Sequence, residues 1–77
     1  MINLNETRNF MEVLAKAEIQ SERVFIILDN GKEYFGKVKR SADVNYFTLR
    51  EIVDKEYYDV IFRIDRIVAI EVKGRDK

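Results

Sequence analysis

The sequence has no cysteine, no histidine and no proline in its 77 residues, and only three glycines. Without cysteine there is no disulfide, and without cysteine or histidine the usual ligands of a zinc site are missing. Catalytic sets are equally thin. Thr7, Ser21, Ser41 and Thr48 are the four serine and threonine residues, with no imidazole or thiol to form a nucleophile-and-base pair. Asp54, Glu56 and Asp59 lack the spacing of a calcium loop and read as a solvated acidic turn. The expectation is a chain that is not an enzyme and carries no metal or cofactor.

Net charge is also lacking, since 14 basic residues balance 14 acidic ones. A protein that binds nucleic acid by general phosphate neutralisation is basic overall, so any nucleic-acid role here must rest on a local site. No apolar run approaches the ~20 residues of a membrane span. The N-terminus shows no charged-then-apolar leader. These absences lead to the expectation of a soluble cytoplasmic protein with no membrane partner.

What is present is a hydrophobic content of 47 % in a short chain. One domain covering residues 1–77 is expected. A single core of this size rarely supplies more than ~3–5 kcal/mol. With disulfides and zinc excluded, self-association is the remaining support. Charge is uneven along the chain. Residues 21–42 carry five basic against three acidic residues, whereas residues 43–61 carry two basic against five acidic. A folded molecule can thus show a basic and an acidic side.

The strongest local signal is Asp29-Asn30-Gly31-Lys32 between two apolar runs, residues 24–28 and 33–38. Asn-Gly in that setting predicts a hairpin with a type I′ turn, because both central positions then need positive φ. Gly36 in mid-strand predicts a sharp bend or a close backbone approach. Residues 24–28 are apolar without interruption, which predicts a strand covered on both faces. Ahead of the hairpin, residues 3–17 read as a helix, with Asn3 and Glu6 as its capping box and Phe10, Leu14 and Ala17 on its apolar face. After it come three further strands, at residues 45–52, 57–64 and 67–72, and a charged tail over 73–77. One helix followed by five short strands, with no helix between them, predicts an antiparallel barrel over residues 23–72 of the SH3-like or OB-like kind.

Gly31, Gly36 and Val38, then Asp43 just ahead of Tyr46-Phe47-Thr48-Leu49, resemble the first motif of the Sm-like family, which includes the LSm proteins and bacterial Hfq. Phe62-Arg63-Ile64-Asp65-Arg66-Ile67, followed by Val68-Ala69-Ile70, resembles its second motif. The resemblance covers residues 5 to 72. It implies a mainly β fold, an N-terminal helix followed by a five-stranded, strongly bent antiparallel SH3-like barrel. It further implies a homo-oligomeric ring that binds single-stranded RNA at its inner rim, where an aromatic side chain stacks on a base, an asparagine reads its edge and an arginine completes the pocket.

Carried onto this sequence, those roles fall on Asp43, Asn45, Tyr46, Arg63 and Arg66 as RNA-binding residues. Arg63 matches the family's arginine. Tyr46 stands where the asparagine is expected and Val44 where the stacking residue is expected, the spacing from Asp43 to the strand is one residue shorter than in LSm proteins, and Ile64 replaces a glycine. Asn45 and Tyr46 therefore remain alternatives for the base contact. A structural or protein-interaction module of the same fold without RNA is the other reading. In it Tyr46 is a half-buried strand tyrosine, Arg63 pairs with Asp65 or with a neighbouring copy's Asp43, and Lys32, Lys37, Lys39 and Arg40 line a solvated strand edge.

Overall fold

The computed structural model describes residues 2–73, so residues 74–77 of the expected tail lie outside the described residues. Among the described residues the protein is mainly β, with one α-helix, α1 (Phe10–Gln20), and five strands, β1 (Arg23–Leu28), β2 (Glu33–Arg40), β3 (Tyr46–Arg50), β4 (Val60–Arg63) and β5 (Ile67–Glu71). The strands form one antiparallel sheet in the order β4-β3-β2-β1-β5, and β4 is not hydrogen-bonded to β5, so the sheet is open rather than a closed barrel.

The sheet is nonetheless strongly rolled. In a flat sheet the two edge strands would lie about 19 Å apart, four spacings of ~4.8 Å. Yet β4 leads into β5 through a three-residue 3-10 turn, Ile64–Arg66, and such a turn rises only ~2 Å per residue. The edges can be joined that closely only if the sheet curls. The nearly equal extents of the molecule, 29 × 26 × 24 Å, agree with this.

Gly36 is where the roll becomes possible. Residues 33–37 of β2 pair with β1, from Ile27↔Glu33 to Arg23↔Lys37. Residues 37–40 pair with β3, from Lys37↔Arg50 to Arg40↔Phe47. The strand changes partners at Gly36-Lys37. A Cβ on Gly36 would sit 2.8 Å from the Arg50 carbonyl oxygen and 3.1 Å from both Leu49 and Ile52 side-chain carbons. The expectation of a close approach at this glycine thus holds. The concave face of the sheet buries Val24, Ile26, Val38, Phe47, Leu49 and Phe62, and α1 adds Leu14 and Ala17 to the same cluster.

The helix begins later than the expected residue 3. Asn3 caps only a 3-10 turn, Leu4–Glu6, by accepting from the Asn5 N–H, and Thr7 Oγ1 closes that turn by donating to the Leu4 carbonyl at 2.9 Å. The working box lies six residues on: Asn9 Oδ1 accepts from the Glu12 N–H at 3.0 Å, and Glu12 accepts from the Arg8 N–H and from Arg8 Nε, each at 2.9 Å. The helix also runs past the expected Ala17. Ser21, at φ 54, takes the left-handed conformation, and the Ser21 and Glu22 amides donate to the Glu18 and Ala17 carbonyls, which satisfies the last turn.

The hairpin is present but its turn is not type I′. Among its residues only Gly31, at φ 85, has positive φ. Gly31 N–H donates to the Leu28 carbonyl and Leu28 N–H donates to the Lys32 carbonyl. This is a three-residue loop that ends in a left-handed glycine. Nor is β1 covered on both faces. Val24 and Ile26 are buried, but Phe25 remains 39 % exposed, because α1 packs on the core side of the sheet. The third strand ends at Arg50 rather than residue 52, since Glu51 leaves the ladder at φ 51. The fourth starts at Val60 rather than residue 57, because the Tyr58 N–H is turned back to the Lys55 carbonyl.

Two outcomes follow from this architecture. Gly36→Ala should lose roughly 2 kcal/mol, about 8–16 °C in Tm by thermal unfolding, because the obstructing atom is a backbone carbonyl that cannot swing aside; an unchanged Tm would show that β2 bends without this contact. The hydrogen bonds from Arg8 hold the Glu12 carboxyl below its ordinary range, the side-chain bond first and the backbone bond second. A carboxylate depressed in the folded state stabilises it above the ordinary value of about 4.3 and loses that contribution as pH falls through the lowered value. Helical circular dichroism below about pH 4 should therefore fall further in the wild type than in Glu12→Gln, each relative to pH 7.

Candidate nucleic-acid interface

The first pair of the β3–β4 ladder, Tyr46↔Arg63, forms the centre of the predicted site. Directly opposed residues of antiparallel strands carry their side chains on the same face, and the Arg63 guanidinium carbon lies 5.9 Å from the Tyr46 ring centroid. The Ile64 N–H donates to the Asn45 carbonyl at 3.0 Å, which extends the ladder by one bond beyond this pair. Tyr46 is half-buried, and Arg63 is exposed.

Asp43 shapes the chain just before Tyr46. Its Oδ1 accepts from the Asn45 N–H at 2.8 Å, and its carbonyl accepts from the Tyr46 N–H at 3.1 Å. Ser41 Oγ lies 2.9 Å from the carbonyl oxygens of both Asp43 and Tyr46 and donates to one of them at a time. Asp43 is therefore a turn former that sets the entry of β3. Val44, at the stacking position implied by the family resemblance, projects into solvent at 75 % exposure and offers no ring.

The two arginines go to different partners. Arg63 Nη2 lies 3.1 Å from Asp65 Oδ2. Arg66 reaches across to the hairpin, where its Nη1 donates to Asp29 Oδ2 at 3.1 Å and its carbonyl accepts from the Asp29 N–H at 2.9 Å. Asp43, Asn45, Tyr46 and Arg63 are thus brought together on one rim, while Arg66 clasps the 3-10 turn to the β1–β2 loop. Of the basic residues read as a solvated strand edge, Lys37 and Arg40 have partners: Lys37 Nζ lies 3.5 Å from Glu51, and Arg40 is held by Glu18 on α1 through its N–H and its Nε.

A second feature was not anticipated. Phe25 and Phe35 stack across the β1–β2 ladder with centroids 4.4 Å apart and planes 22° apart. They floor an open groove of about 560 Å³ on the solvent face of the sheet, with Lys37, Glu71 and Val72 among its walls. The uninterrupted apolar run of β1 hides the alternation that would have exposed Phe25. Among the described residues, no group of three or more acidic side chains is placed to hold a metal ion, and no helix is long and apolar enough to cross a membrane.

If Asp43 is a turn former, Asp43→Ala should lower stability by about 1 kcal/mol in chemical denaturation, the usual cost of losing an Asx-type cap, and Asp43→Asn should recover most of it. Equal losses in both variants would point to the charge rather than the hydrogen bond. No family model matches the chain, and no curated protein or solved structure matches it either.

Proposed function

We propose that this chain is an Sm-like protein that assembles into a homo-oligomeric ring and binds single-stranded RNA at the rim formed by Asp43, Asn45, Tyr46 and Arg63. The observation that carries this reading is the Tyr46–Arg63 cross-strand pair, an aromatic ring and a guanidinium 5.9 Å apart on an accessible strand end. Stacking of a base on an aromatic or guanidinium plane is worth ~1–3 kcal/mol and tolerates sequence. One such site is weak alone, but repeated around an oligomer it gains through effective concentration.

Assembly has its own support. Among the described residues both sheet edges, β4 and β5, lack a neighbouring strand on their outer side, and each carries an exposed apolar side chain, Ile61 at 62 % and Val68 at 58 %. Exposed apolar edges of this kind invite pairing with another copy. The rolled sheet with its bend at Gly36 also fits the SH3-like barrel expected of the family. A second reading, an interaction module of the same fold without RNA, is favoured by one observation: the arginine of the site, Arg63, is already paired with Asp65.

Fluorescence anisotropy with labelled oligo-U and oligo-A separates the two. The RNA reading expects binding in the micromolar range, weakened roughly 5- to 150-fold by Tyr46→Ala or Arg63→Ala, the equivalent of ~1–3 kcal/mol, with Lys55→Ala unchanged. Absence of binding, or indifference to both substitutions, leaves the interaction module.

A further inference from the structure

The surroundings of Arg63 say which part of an RNA this rim would engage. Arg63 and Asp65 are two residues apart, on either side of the start of the Ile64–Arg66 turn, and the carboxylate takes one Nη of the guanidinium at 3.1 Å. A guanidinium has its N–H donors in its plane and its apolar, stacking surface on its two faces. Asp65 therefore sets its negative charge against the guanidinium that a phosphate would seek, while the face of that guanidinium lies toward the Tyr46 ring. Arg66, the other cation of the segment, is engaged by Asp29 through its side chain. Around Tyr46 no surplus positive charge is left: Arg63 is paired with Asp65, and the Asp43 carboxylate accepts only from the Asn45 N–H among the bonds at this rim.

We infer that Asp65 is a selectivity residue of the rim: it neutralises Arg63, so the site takes single-stranded RNA by its bases and discriminates against contact through the phosphates. This rests on the proposed RNA reading and specifies its ligand chemistry. When an unpaired arginine meets a phosphate it displaces condensed counterions, and each such contact adds about 0.7 to the slope of log affinity against log salt for a single strand. An arginine already paired with a carboxylate exchanges one anion for another and adds little. The pair is half exposed, 50 % at Arg63 and 60 % at Asp65, so its removal releases a modest amount of affinity.

The test is a salt series of anisotropy titrations with two ten-nucleotide uridine probes, one with ordinary phosphodiesters and one with an uncharged methylphosphonate backbone. The wild type should bind both with similar affinity and a shallow salt slope. Asp65→Asn should tighten the phosphodiester probe about three- to fivefold at low salt, within the usual range for an exposed ion pair, and steepen its slope by about 0.7 per engaged arginine. It should leave the methylphosphonate probe unchanged. Asp65→Asn combined with Arg63→Ala should lose the gain. Binding by the wild type with no change of slope or affinity in Asp65→Asn overturns this inference and leaves the RNA reading standing, as does an equal gain on both probes. Failure of both proteins to bind either probe overturns the RNA reading and this inference with it.

Discussion

The fold depends on one close approach, the contact between the backbone at Gly36 and the Arg50 carbonyl. Any side chain at position 36 would meet that oxygen at 2.8 Å. Because there is none, β2 can give its first half to β1 and its second half to β3 and turn between them. The consequences run outward from that bend. The concave face becomes deep enough for α1 to close it with Leu14 and Ala17. The two edge strands come near enough for the turn Ile64–Arg66 to join them, and the carbonyl and side chain of Arg66 then fasten that turn to Asp29 in the hairpin loop.

The candidate site is a product of the same geometry. Tyr46 and Arg63 meet because β3 starts and β4 ends at one level of the ladder, and that level is set by the turn that Asp43 and Ser41 hold before β3. The chemistry is then set by the short stretch after β4. Asp65 and Arg66 follow Arg63 so closely that one arginine is compensated from within the segment and the other is drawn away to the hairpin. The result is a rim with an aromatic ring, a guanidinium plane and no surplus positive charge, in keeping with a chain whose formal net charge is zero.

Much of this was legible in the residues. The order of one helix and five strands, the hairpin around Gly31 and the close approach at Gly36 can be read directly, because glycine in mid-strand has few other reasons to be there. The pairing of Arg63 with Asp65 was one of the readings open from the sequence. Other features were not legible, for identifiable reasons. The sequence offers two capping boxes, Asn3 with Glu6 and Asn9 with Glu12, and only the second is supported by a further bond from Arg8. Asn-Gly suits both a two-residue and a three-residue hairpin loop, and the choice depends on the β1–β2 register, which is not a local property. The run of apolar residues in β1 carries no alternation, so the exposed Phe25–Phe35 stack was hidden. The partner of Arg66 lies 37 residues away in sequence, beyond the reach of any local pattern.

The roll of the sheet stops short of closure, and among the described residues that leaves β4 and β5 as edge strands beside exposed Ile61 and Val68. A core this small, with no cross-link, gains from burying such edges against a second copy. We therefore propose that the stable unit is an assembly of this 9.2 kDa chain. Native mass spectrometry at tens of micromolar protein tests it directly. One defined multimer, lost when Ile61 and Val68 are both replaced by lysine, is the predicted result, and a monomer in the wild type would contradict it.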